Sequence, residues 1–175
     1  MPSTATPTLD TRTDDAAFEA RLQAHAGIVR KVAGSYAWNP HDRDDLMQDI
    51  VAALWQAWPR YDASRPFSTW MYRVALNVAI SQVRGETRRR RHHVAYDADL
   101  HDAEAPARDI DGDEQLALLQ HAMQSLDPMH RALLMLHLDE RSHREIAEVL
   151  GISESNVGTK LTRIKAHLRA ALASP

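Results

Sequence analysis

Residues 142–169 (S-H-R-E-I-A-E-V-L-G-I-S-E-S-N-V-G-T-K-L-T-R-I-K-A-H-L-R) constrain this chain most. Ser142 and Glu145 stand three apart, the spacing of a reciprocal helix N-cap. Ile146, Ala147 and Leu150 give the helix that follows an apolar side. Gly151 falls where it must stop, because glycine enters the left-handed region without a steric penalty. Ser153 can cap a second helix. There Val157, Leu161, Ile164 and Leu168 recur at spacings of four, three and four and define one buried stripe. The outward side carries Ser155, Asn156, Thr159 and Arg163, with Lys160 on its flank. The pattern predicts a helix-turn-helix whose second helix can enter a DNA major groove. The plain alternative is a helical hairpin with a solvated polar face.

A net charge of −3 looks wrong for a DNA binder until it is divided along the 175 residues. Residues 1–91 hold 13 basic and 10 acidic side chains. Residues 92–113 hold 1 and 7, and residues 114–175 are balanced at 7 each. Within the last part, residues 154–175 carry 4 basic and 1 acidic side chain, so the expected recognition helix is positive. Local fields, not the total, govern binding. The chain has no cysteine, which excludes disulfides, thiolate catalysis and cysteine zinc sites. The N-terminal residues lack the basic-then-apolar layout of a signal peptide, and no apolar run has membrane-spanning length, so a cytoplasmic protein is expected.

The periodicity predicts an all-α protein: two small helical domains joined by a flexible acidic linker. Residues 1–13 are expected to be a disordered tail. The N-terminal domain, 14–91, reads as three helices, over about 14–38 (Phe18, Leu22, Val29, Val32 and Tyr36 on one side), 42–58 and 68–91. Asn39-Pro40 is expected to end the first, and Asp42, Asp44 and Asp45 suit the start of the second. The acidic segment 92–113, with Pro106 and Gly112, has no helical period and reads as the linker. The C-terminal domain, 114–175, is expected to hold a helix up to about Ser125, one opened by Asp127-Pro128, and the helix-turn-helix.

Residues 58–91 combine aromatic and basic side chains: Trp58, Tyr61, Phe67, Trp70 and Tyr72, then Arg73, Arg84 and the run Arg88 to Arg91. Aromatic faces stack unpaired bases and arginines track phosphates, which fits melting or single-stranded DNA. Asn77, polar on an apolar helix, can read a base edge. Trp58 is expected in the core beside Leu54, and Trp70 has a competing reading as core, which leaves Tyr61 and Phe67 as the loop aromatics. In helix 42–58, the apolar residues spread too widely for one buried stripe, so part of them can meet a partner protein beside Asp45, Gln48 and Asp49. His92, His93, His101 and Asp97 crowd the linker, but their spacing matches no zinc or iron pattern. No metal site, cofactor or catalytic constellation is expected, so the chain is not read as an enzyme.

Three segments in order resemble those of bacterial RNA polymerase sigma factors of the extracytoplasmic-function group. D-R-D-D-L-M-Q-D-I-V-A-A-L-W-Q-A-W (42–58) resembles the family's polymerase-clamp-binding helix. P-F-S-T-W-M-Y-R-V-A-L-N-V-A-I-S-Q-V-R (66–84) resembles the segment that melts and reads the downstream promoter element. S-L-D-P-M-H-R-A-L-L-M-L-H-L (125–138) with the helix-turn-helix resembles the domain that binds the upstream element. The resemblance implies polymerase contacts at Asp45, Leu46, Gln48, Asp49, Leu54 and Trp55. It implies downstream-element contacts at Tyr61, Phe67, Trp70, Tyr72, Arg73, Asn77, Arg84 and Arg88. For the upstream element it implies Arg144, Ser153, Ser155, Asn156, Thr159, Lys160 and Arg163. Partners would be core RNA polymerase, promoter DNA and an anti-sigma factor, with no membrane contact, in a stress or envelope response. The chain departs from the family at Val51, Leu76, Ile80, Ser81, Asn156 and Gly158, which bears on promoter preference. A stand-alone helix-turn-helix regulator is the alternative function, and a helical adaptor without DNA binding a third; residues 42–91 discriminate, because a regulator needs neither a polymerase-binding helix nor aromatics beside a basic run.

Overall fold

Helix starts are written into the sequence as side-chain caps. A computed structural model describes the backbone of residues 11–94 and 122–173, and the side chains of 14–85 and 122–170. The N-terminal group holds α1 (Thr11–Ala24), α2 (Ala26–Tyr36), α3 (Pro40–Ala57), a 3₁₀ turn (Trp58–Arg60) and α4 (Phe67–Val94). The C-terminal group holds α5 (Pro128–Leu138), α6 (His143–Leu150) and α7 (Glu154–Ala173). No strand occurs among the described residues.

Asn39 and Pro40 open α3 where they were expected only to close the preceding helix. The Asn39 side chain accepts from the Asp42 amide at 2.8 Å, and Pro40 fills the first turn, where a missing N–H costs nothing. Asp127 caps α5 by accepting from the amides of Met129 and His130, each at 3.0 Å. Ser142 and Glu145 form the reciprocal box at the start of α6, and Gly151 ends that helix at φ +68°. The expected single helix over 14–38 is two, broken at His25, whose ring meets the edge of Phe67 at 5.2 Å.

Leu46, Ile50 and Leu54 of α3 pack toward α2 and α4, where Val32, Ala33, Met71, Ala75, Leu76 and Ala79 are fully or almost fully buried. In the C-terminal group, Leu133, Leu136, Ile146, Val157 and Ile164 close a second centre. The two centres join into one continuous apolar cluster, with α5 and α6 lying against α2 and α4. The linker 92–113, its histidines and most of the helix expected before Ser125 fall outside the described residues, except that α4 runs on to Val94.

Candidate nucleic-acid and polymerase interfaces

The sequence of α7 sorts its faces by burial. Val157, Leu161 and Ile164 are buried against α5 and α6. Ser155, Asn156, Thr159 and Arg163 are left exposed on the other side, and Lys160 is half-buried. Ser153 accepts from the Asn156 amide at 3.3 Å, so the helix starts where its first outward residues are needed. The Thr159 hydroxyl donates to the Ser155 carbonyl at 3.0 Å, leaving its lone pairs outward. Arg144 is exposed on α6. Of the seven side chains expected to read the upstream element, six lie on these two helices and Ser153 in the turn between them, and none is buried.

On α4, Arg73, Asn77 and Arg84 are exposed at helical spacing and form a polar stripe. Arg88 continues the helix, beyond the described side chains. The aromatic residues behave otherwise. Phe67 is the first residue of α4, not a loop residue, and is 6 % exposed; Tyr72 is 1 % exposed. Both belong to the core, which corrects the expectation of free stacking faces there. Trp58, Tyr61, Phe67 and Trp70 pack ring against ring, with Tyr61 stacked on Trp58 at 5.4 Å and 15°. The Tyr61 hydroxyl donates to the Arg65 carbonyl at 2.7 Å. Tyr61 and Trp70 stay half-exposed, so each offers part of a ring. Aromatic neighbours in a sequence gain more by packing on one another than by standing in water, which is why a composition of rings and arginines overstated the open stacking surface.

Helix α3 carries two stripes one residue apart. Leu46 and Leu54, expected at a partner surface, are 2 % and 0 % exposed and are core residues. Met47, Val51 and Trp55 form the second stripe. With Phe18 and Leu22 of α1 they line an open apolar groove of about 630 Å³. Trp55 is exposed and meets Phe18 edge-on at 5.1 Å. Asp45, Gln48 and Asp49 flank it, exposed, with Asp45 near His41 at 3.1 Å. Periodicity showed that one stripe could not hold these residues; it did not show which stripe was spare.

Comparison with known proteins follows the same division. The Sigma-70 region 2 model matches residues 22–89, and the Sigma-70 region 4 model matches 116–168. The sigma factor NccH of Alcaligenes xylosoxydans xylosoxydans is 30% identical over 168 residues, covering 92% of this chain and 89% of the relative. The ECF sigma factor SigE of Mycolicibacterium smegmatis is 31% identical, covering 97% and 68%. The chain belongs to the extracytoplasmic-function group of RNA polymerase sigma factors. It is also similar to the solved structure of CnrH in complex with the cytosolic domain of CnrY, with a TM-score of 0.64 at 28% identity, covering 90% of this chain and 88% of that one. As a sigma factor it directs transcription initiation by RNA polymerase, and the family acts without catalysis of its own. Among the described residues no helix is long and apolar enough to cross a membrane, and no cluster of three metal-ligating side chains occurs.

Proposed function

We propose that residues 14–91 bind core polymerase and the downstream promoter element, that 92–113 link, and that 114–175 bind the upstream element. The polymerase surface is the exposed face of α3, with Asp45, Gln48 and Asp49 beside the Trp55 groove. Arg73, Asn77 and Arg84, with Arg88 beyond and the free edges of Tyr61 and Trp70, hold the opened strand. Arg144, Ser153, Ser155, Asn156, Thr159, Lys160 and Arg163 meet the upstream duplex. Phosphate contacts by the arginines set affinity and Asn156 reads a base edge. The chain catalyses no step, works in the cytoplasm, and is held in check by an anti-sigma factor; the seating of the related sigma factor CnrH on a second protein supports that last point.

The observation that carries this reading is the coexistence in one chain of a spare acidic-apolar face on α3 and an exposed polar recognition face on α7. The stand-alone regulator accounts for the second and leaves the first without a role. Asp45→Arg with Gln48→Ala should abolish co-purification with core polymerase while the far-ultraviolet circular dichroism spectrum stays unchanged. Undiminished binding by the folded double variant would remove α3 as the polymerase surface.

A further inference from the structure

Arg21, in the last turn of α1, is held against the aromatic cluster by the way that helix ends. The His25 amide donates to the Arg21 carbonyl at 3.2 Å, and its ring Nδ1 donates to the same oxygen at 3.0 Å. The His25 ring then meets the edge of Phe67 at 5.2 Å. The break between α1 and α2 therefore fixes Arg21 beside the start of α4. Its guanidinium carbon lies 5.8 Å from the ring centroids of both Tyr61 and Phe67. At that range the negative ring faces hold a cation without hydrogen bonds. Trp58 covers one face of Tyr61, stacked at 5.4 Å and 15°. What Tyr61 presents to solvent is thus in part a guanidinium, not a bare ring.

Arg21 is exposed, and among the described residues its side chain makes no ion pair and donates no hydrogen bond. The loop before α4 neutralises its own charges instead. Arg65 meets Glu148 of α6 at 3.0 Å and Asp62 at 3.8 Å, and Asp62 also accepts from the Ser64 amide at 2.9 Å. All five N–H donors of Arg21 are left for an outside acceptor. A weakly hydrated guanidinium already set on a ring suits phosphate, which it meets through two parallel N–H bonds. Half-exposed Trp70 lies 5.1 Å from Tyr61 and three residues before Arg73, next to the polar stripe of α4. Arg21 therefore extends the row of Arg84, Asn77, Arg73, Trp70 and Tyr61 onto α1.

We propose that Arg21 is a DNA-contacting residue of α1, which binds a backbone phosphate of the opened strand beside the base held at Tyr61 and Trp70. It rests on the strand-holding function proposed above for α4. Single-strand sites combine rings for the bases with cations for the backbone. Of the described arginines, only Arg21 lies over the rings of this cluster. The plain alternative is that Arg21 merely covers the rings and offsets the negative end of the α1 dipole. Salt separates the two. One phosphate contact to a single strand adds about 0.7 to the steepness of log K against log salt, and a cover adds nothing.

The test titrates holoenzyme, made from core polymerase and this protein, onto fluorescent single-stranded DNA that it selects from random sequence, at several salt concentrations. With Arg21→Ala the slope should become shallower by about 0.7, and binding at about 0.1 M salt should weaken about fivefold. Arg21→Gln, which keeps the stem on the rings, should behave alike, and Arg21→Lys, which keeps the charge, should restore the slope. Arg30→Ala removes the same charge from an exposed position on α2 that lies over no described ring, and should leave the slope unchanged. Weaker binding by Arg21→Ala at an unchanged slope would overturn the inference, because Arg21 would then act only through the rings. An equal change in Arg30→Ala would also overturn it, by making the effect one of net charge. Arg73→Ala separates the inference from the reading beneath it. If Arg73→Ala makes the slope shallower and Arg21→Ala does not, Arg21 is removed and the role of α4 stands; if neither changes it, both fall.

Discussion

Arg131 offers the sharpest test of how the two helical groups are held. It is 6 % exposed, and its guanidinium donates to the carbonyls of Met123 (3.2 Å), Gln124 (2.9 Å), Leu126 (3.2 Å) and Ser35 (3.4 Å). Three of these carbonyls belong to the segment before α5, and the fourth to the end of α2. Its planar fork meets several acceptors at once, which a lysine ammonium on a flexible stem cannot reproduce. A hydrogen bond to a charged group contributes about 1.5–3 kcal/mol, but four bonds share one guanidinium, and removing that group also removes its own desolvation cost. Burial indeed holds the Arg131 guanidinium below its usual pKa, against the opposing influence of Tyr36 and Asp127. The net loss for Arg131→Ala works out at about 3 kcal/mol, and for Arg131→Lys at about half of that. With a urea slope of about 2 kcal/mol per molar, the alanine variant's midpoint should fall by about 1.5 M. Urea titration followed by circular dichroism at equal slope measures it, with exposed Arg169→Ala as the control expected to shift little. A shift for Arg131→Ala no larger than that control would refute the account of Arg131 as the shared anchor.

Three further outcomes are expected. Gly158→Ala should stabilise the protein by up to about 1 kcal/mol in thermal or urea unfolding, because the added methyl meets only the His143 ring, at 3.7 Å, and alanine is the better helix former. Glu140→Gly should add up to about 1 kcal/mol by relieving its positive φ, and equal or lower stability would contradict the strain assigned to that turn. Asp139 and Glu145 are both held below the usual carboxylate range, so at acid pH the unfolded chain binds more protons than the native one. Their contribution should be complete above about pH 4.5 and fade as pH falls below it, and Asp139→Asn should flatten that acid limb of the urea midpoint against pH.

Much of the fold was legible because its signals are local. The caps at Ser142, Asp127 and Gly151 and the stripe Val157, Leu161 and Ile164 need only a few neighbouring residues, and each stands where the sequence puts it. Asn39-Pro40 misled because the same pair both closes one helix and opens the next. The break at His25 was hidden because the apolar repeat through Leu22 and Val29 carries across it. Phe67 and Tyr72 were misplaced because a ring's burial depends on partners distant in sequence: Tyr72 finds Asp139, and Phe67 finds Trp58 and His25. Docking of the two groups joins their apolar centres and adds pairs such as Lys31 and Asp139, 108 residues apart, which no periodicity reveals. The exposed face of α7 was legible, since exposure there follows directly from which residues its stripe buries.

In vitro transcription with purified core polymerase tests the central claim most directly. Core alone should give no specific start on promoters selected by this protein, core with the protein should give a defined start, and Asn156→Ala should change which upstream sequences are used while leaving core binding intact. Specific duplex binding with no stimulation of core on any such template would contradict the account and leave the stand-alone regulator in its place.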